Sequence, residues 1–308
     1  MVGAKRAVLI TAVVCCTTIV SHSFGRSVYG LLLPAIEDDL GITHAQAGIP
    51  SSGIFVMYVI GVLWVVFTSP WVEPVTIMRA SLAISAGALA LAATADSLPA
   101  LTVGVSLAGG AGAGIWMTAP VLATEYVSEA RRGVVLGGLT ASMGVSNVAL
   151  GFGTAAWRRS AGDDLLWRPV WWLTVAVTCA LLAAMVFVAR FSPTDRLATS
   201  GGPNLAVLRS LPHWRQMTFA YACFGGLAAG FSAFIVAAIE EHGGMSRSTA
   251  TQIFSAVGVA SMIAAPTAGA LSDRIGRVRV LRLALVTLLV ANLLVALGGI
   301  AVAIGAVA

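Results

Sequence analysis

Residues 269–279 read GALSDRIGRVR, a charged island between two apolar runs. The runs extend over about 248–271 and 280–300, each near the ~20 residues that cross a bilayer as a helix. Two antiparallel helices joined by so few residues need a tight turn. Gly276 permits one, because glycine reaches backbone conformations closed to other residues. Arg274, Arg277 and Arg279 hold such a loop at a membrane face, where they meet acids or lipid headgroups. Asp273 can rest against the partly positive N-terminus of a neighbouring helix.

Outward from this loop the same alternation continues along the chain. Hydrophobic residues make up 58% of the 308 positions and charged ones 10%, with a mean hydropathy of +0.92. A soluble domain carries about 25% charged residues, so this composition cannot cover a water-facing surface. Nine spans are expected, at roughly 7–36, 47–68, 75–95, 98–124, 133–156, 167–190, 216–239, 248–271 and 280–300. They should be helices, since only helices and closed barrels satisfy every backbone amide in lipid, and the period-2 pattern of a barrel is absent. The fold class is therefore an all-α membrane protein.

The net charge of +5 does not signal nucleic acid, because the basic residues are scattered among short connections between apolar runs. They read as topological signals. With the N-terminus cytoplasmic, 13 of the 18 Lys and Arg fall on the inner side, as the positive-inside rule requires. The outer connections carry acids, among them Asp39, Asp96 and Glu241. The four cysteines all lie in apolar segments without metal-ligand or disulfide spacing, so no metal and no cofactor is indicated. Lys5 and Arg6 ahead of an apolar run imitate a secretory signal, but the run is too long and no cleavage motif follows. No nucleophile–base array, HExxH or paired midplane acids appear, so an enzyme is not expected.

The longest polar stretch, 191–215, is rich in Pro, Gly and Ser and reads as a cytoplasmic linker. The expected domains are thus a six-helix bundle over 1–190, the linker, and a second bundle of about three helices over 216–308.

GALSDRIGRVR resembles the cytoplasmic loop signature of the major facilitator superfamily, G-x-x-x-D-R-x-G-R-x-R, at Gly269, Asp273, Arg274, Gly276, Arg277 and Arg279. The resemblance implies a transporter built of two related bundles and a gating role for this loop. It also implies a second copy two hundred positions earlier. There SPWVEPVTIMR, residues 69–79, keeps an acid at Glu73 and the last arginine at Arg79, but lacks the glycines and the other arginines. LLWRPVWW around Trp167 and Arg168 resembles the opening of the sixth span in this superfamily. LAGGAGAGIWM, 107–117, resembles its glycine-rich fourth span, with Ser106 where an arginine is usual. The Gly-Pro pair of drug/proton antiporters is missing beside Gly144, Asn147 and Gly151. FGRSVYGLLLPAIEDDLGI and EEHGGMS are closest to the YbfB-like transporters. The family pattern calls for twelve spans, so this chain is expected to stop during or after the ninth, leaving the second half incomplete.

The first span carries SHSFGRSVYGLLLP, residues 21–34, with His22 and Arg26 near mid-membrane. At 100° per residue, Thr11, Cys15, Thr18, His22, Arg26 and Tyr29 share one face, which should meet a water-filled cavity. An arginine facing lipid costs about 2.5–3.5 kcal/mol on insertion scales. Two uses of Arg26 fit: it binds an anionic group of the substrate, with His22 and Tyr29 lining the same site, or it snorkels outward or caps a neighbouring helix. Tyr58, Trp116, Asn147 and Tyr221 are further candidates for the substrate site, each also explicable as packing. No acid sits at the midplane, so a proton as coupling ion would need His22, whose ordinary pKa is about 6.5; a structural histidine is the alternative. The expectation is a secondary transporter of a small solute, an organic anion where Arg26 binds it, in a prokaryotic inner membrane. The alternative is a truncated or decayed carrier with no transport of its own.

Overall fold

The computed structural model describes residues 4–125, 127–161, 167–189, 210, 212–226, 247–290 and 293. Among these residues all regular structure is helical. Helix α1 (Ala4–Ile19) continues through a π-helical segment (Val20–Ser27) into α2 (Val28–Leu40), and the three form one rod. Then come α3 (His44–Thr68), α4 (Pro74–Ala93), α5 (Leu98–Thr124), a 3₁₀ turn (Glu129–Arg131), α6 (Arg132–Ala161) and α7 (Trp167–Ala189). Residues 214–226 form α8, Arg247–Ile275 form α9, and residues 277–290 form α10. The seventh and ninth expected spans are thus seen only over 216–226 and over 280–290 with residue 293. Nearly all of the expected linker at 191–215 lies outside the described residues.

Six helices among the described residues are long and apolar enough to cross a membrane. The 25 residues of α3 reach roughly 37 Å at ~1.5 Å per residue, enough for a hydrocarbon core of ~30 Å. The helix ends follow local chemistry. Gly41, at φ 60°, closes α2 in the left-handed conformation that glycine tolerates. Thr43 and Gln46 form a reciprocal capping box that opens α3. Pro74 starts α4, where a missing amide hydrogen costs nothing. Threonine hydroxyls within the spans donate back to their own helix, as Thr118 does to Gly114 O at 2.8 Å and Thr178 to Thr174 O at 2.7 Å. These hydroxyl protons are thereby met within the span itself.

Helix α5 is the hub, packing on α1, α3, α4 and the π segment. Two-thirds of its apolar window is buried, against about a fifth for α3. α3 therefore turns Val56, Val59, Leu63 and Phe67 outward to lipid. Lipid is as apolar as leucine, so close backbone approach rather than the hydrophobic effect holds such helices together. The glycines of α5 supply that approach. A methyl group on Gly109 would lie 2.7 Å from Ile54 O, and one on Gly104 2.7 Å from Ala92 N. Side chains of α4, α5 and α7, among them Met78, Leu82, Ile115, Trp171 and Met185, fill the buried core.

Candidate functional site

Why the first span bends from α into π geometry can be read from its residues. Ser21, Ser23, Gly25 and Ser27 are weak helix formers in mid-span, and each finds a reason to depart from the ladder. Ser21 Oγ donates to Gly112 O on α5 at 2.8 Å, and Ser23 Oγ donates to Asn147 Oδ1 on α6 at 3.2 Å. Gly25 comes so near α5 that a Cβ would lie 3.3 Å from Ala108 O. The segment is thus pinned to α5 and α6 on two sides, and Val28 N bonds back to Ser23 O across five residues. Short π stretches of this kind gather at functional sites.

The π turn changes which side chains share a face. More than four residues are needed to come round, so Tyr29, three beyond Arg26, falls short of it. Tyr29 is instead buried and donates its hydroxyl to Ala47 O at 2.7 Å, tying α2 to α3. The Tyr29 hydroxyl, expected to line the site with His22 and Arg26, is thus taken up by a backbone carbonyl. His22 and Arg26 remain one turn apart and half-buried.

Around these two residues the helices bring rings. The Arg26 guanidinium carbon lies 4.8 Å from the Phe55 ring centroid and 5.8 Å from that of Tyr58, both on α3, within cation–π range. The His22 imidazole meets the Trp116 ring of α5 at 4.3 Å between centroids, tilted by 48°. His22 Nδ1 stands 3.1 Å from Ser21 Oγ. The Ser21 proton goes to the Gly112 carbonyl, so the serine offers the ring only lone pairs. Nδ1 must then carry the imidazole hydrogen, which leaves Nε2 as the acceptor. Among the described residues no carboxylate forms an ion pair with Arg26.

Of the residues singled out from sequence, His22, Arg26, Tyr58, Trp116 and Asn147 converge here, Asn147 through Ser23. Tyr221 lies within electrostatic reach of Tyr58, but it is 72% exposed and its ring faces Phe224 at 6.3 Å. Phe55, Ser21 and Ser23 were not singled out. An aromatic in an apolar run looks like a lipid-facing residue, whereas the small polar residues spaced through 21–27 were the readable sign of an irregular turn.

A second cluster sits at the opposite end from the α2–α3 turn. Asp273, at the foot of α9, accepts a hydrogen bond from Val134 N in the first turn of α6 at 3.3 Å. A carboxylate there meets the orphan amides and partial positive charge of a helix start. Gly133 and Gly269 make room for it. A Cβ on Gly133 would run into the Asp273 carboxylate, and one on Gly269 into the Gly133 carbonyl. The antiparallel contact continues upward, with Gly137 against Ala265 and Gly144 against Gly258. Gly276 turns the chain at φ 93°, and Arg274, Arg277 and Arg279 are exposed beyond it. Glu73 precedes α4 in extended conformation and makes no side-chain cap. At the far end, Arg168 holds Asp39 at 3.2 Å and Asp96 at 2.9 Å while Trp167 Nε1 donates to Asp39 at 3.1 Å. This ties the starts of α7 and α5 to the end of α2.

The family model described as Major Facilitator Superfamily matches residues 15–308. No curated protein matches the chain.

Proposed function

Since the chain belongs to the Major Facilitator Superfamily, a family of secondary transporters of small molecules in membranes, we propose that it carries a small organic anion whose negative group is held by Arg26. One observation carries the reading: a mid-membrane guanidinium packed on Phe55 and Tyr58, with no carboxylate partner among the described residues. A buried cation left unpaired is costly, and an anionic ligand relieves that cost in the loaded carrier. Resemblance to the YbfB-like transporters is compatible with this and names no substrate.

The proposed cycle is a rocking of two helix bundles about this site, the first over 1–190 and the second over 216–308. The contact of Asp273 with the start of α6 serves as the inner latch, closed in this structure. With the N-terminus cytoplasmic and the protein in a prokaryotic inner membrane, that state keeps the site shut from inside. Proton coupling would need His22 Nε2, the ring nitrogen left open, and a purely structural histidine is the alternative reading of it.

The test is transport of organic acids by membranes carrying this chain, with Arg26→Lys and Arg26→Gln beside it. Both variants should lose affinity by at least tenfold, since a lysine cannot reproduce a bidentate fork. Uptake with and without a pH gradient tests the proton. Normal transport with unchanged affinity in both Arg26 variants removes the proposal. Absence of transport by the unaltered chain favours the decayed-carrier reading instead.

A further inference from the structure

Resting on the anion reading, the site also limits what the anion's body can be, and we infer that the ligand is a singly charged carboxylate on a planar, aromatic body. Two independent observations lead there. The first is charge. Arg26 is the only charged residue in the middle of a span among the described residues, and Arg79, Arg168 and Arg247 lie at span ends. One guanidinium carries one fixed positive charge, and the His22 imidazole beside it is neutral, so a dicarboxylate or phosphate dianion would bring a second charge into the membrane with no fixed cation to meet it. A cationic ligand would be repelled.

The second observation is the character of the walls. Phe55 and Tyr58 cover the guanidinium from α3, and the His22–Trp116 pair stands one turn along the same π segment. With its central carbon 4.8 Å from the Phe55 centroid, the guanidinium brings a carboxylate bound to its N–H groups, and the body attached to it, within reach of that ring. Ser21 and Ser23 are already engaged, with Gly112 O and with Asn147 Oδ1. A polyol or sugar would leave the ring faces unused, whereas a flat ring finds offset-stacked or edge contacts on either wall. A short aliphatic acid satisfies the charge and leaves the walls unused.

The full 308-residue chain, reconstituted in lipid nanodiscs, is titrated with benzoate, propionate, succinate, inorganic phosphate and benzylamine. Benzoate should bind about tenfold more tightly than propionate, as one or two added ring contacts imply, and the other three should bind more weakly than propionate. Arg26→Gln should weaken both acids at least tenfold. Phe55→Leu should bring the benzoate-to-propionate ratio towards one, on top of any shift common to both acids; Trp116→Leu repeats the test from the other wall should the first variant fail to fold. Equal binding of benzoate and propionate, both lost in Arg26→Gln, overturns the aromatic body and leaves the anion reading standing. Preference for succinate or phosphate overturns the single charge. Preference for benzylamine, or binding of none of the five by folded protein, overturns the inference and the anion reading together.

Discussion

Adding one methyl group at Gly269 should do more damage than its size suggests. A Cβ there would lie on the carbonyl group of Gly133, 2.9 Å from its carbon and 3.4 Å from Val134 N. Carbon atoms prefer about 3.5–4.0 Å, so the feet of α6 and α9 must part by roughly 0.6 Å or more. The Asp273–Val134 hydrogen bond, now 3.3 Å, would then stretch beyond hydrogen-bonding distance. Overpacking against backbone costs about 1–3 kcal/mol, and losing a carboxylate from an exposed helix start adds about 1 kcal/mol. Gly269→Ala is therefore expected to destabilise by about 2–4 kcal/mol.

Gly133→Ala meets the Asp273 side chain rather than backbone, and a carboxylate can swing aside. Its cost should be nearer the ~1 kcal/mol of the broken bond alone. Gly153, on the same α6, has open space around it, so Gly153→Ala should stabilise by about 0.5–1 kcal/mol through helix propensity. The assay is thermal melting of the purified chain in detergent, followed by helical circular dichroism. The expected order from lowest to highest melting temperature is Gly269→Ala, Gly133→Ala, parent, Gly153→Ala. Asp273→Asn made in the Gly133→Ala background should cost almost nothing further, because the bond is already lost. Equal shifts for the alanines at 269 and 153, or additive effects of the 133 and 273 changes, would falsify the account of the clasp.

Two other outcomes follow from the same contacts. Deleting Ser23 removes the extra residue of the π turn, so α1 and α2 should keep their packing while Arg26 swings by roughly one residue's rotation, about 100°. With the four native cysteines replaced, a cysteine at position 26 should react with a charged thiol reagent in the parent and be protected in the deletion; equal reactivity in both would show that the π turn does not aim this residue. At the other end, Asp39→Ala should lower stability by about 1–2 kcal/mol, since Asp39 receives both Trp167 and Arg168. Asp96→Ala should cost at most about 0.5 kcal/mol, because the Asp96 carboxylate is 87% exposed and its pairing screened; the reverse order in melting temperature would contradict the assignment of Asp39 as the anchor.

The helical framework was legible because hydrocarbon leaves the backbone one solution, and spans bounded by Pro, Gly and charge can be counted directly. The helix starts at Pro74 and Trp167 stand within a residue of the expected span starts. That Asp273 rests against a helix start was readable from the loop itself, and the structure supplies the partner, the first turn of α6. The site was less legible. A fixed 100° per residue holds over α1 and fails at Val20–Ser27, where pinning of Ser21 and Ser23 to α5 and α6 outweighs the regular ladder. Just beyond that irregularity Tyr29 serves as a strut against Ala47. Phe55 stayed hidden because its role arises from a neighbour on another span, and no local pattern marks it.

The two irregular features of the fold are built on opposite principles, and this bears on how the carrier could move. At the Asp273 clasp, contact is glycine backbone against glycine backbone, with one 3.3 Å hydrogen bond to an exposed carboxylate. Such a contact is specific in shape yet small in energy, so a differential ligand affinity of a few kcal/mol suffices to open it. At the π turn, two serine hydroxyls, a close-packed glycine and an arginine over two rings all bind the same eight residues. Breaking that segment would leave several mid-membrane polar groups unmet at once, which lipid does not compensate. The rocking step should therefore run through the clasp, with Arg26 and His22 carried along on a fixed segment. On this view ligand binding at Arg26 biases the clasp from a distance, and by reciprocity Asp273→Asn, which loosens the α6–α9 contact, should change the apparent anion affinity by up to about fivefold, the ~1 kcal/mol of the lost bond; an unchanged affinity would separate the two sites.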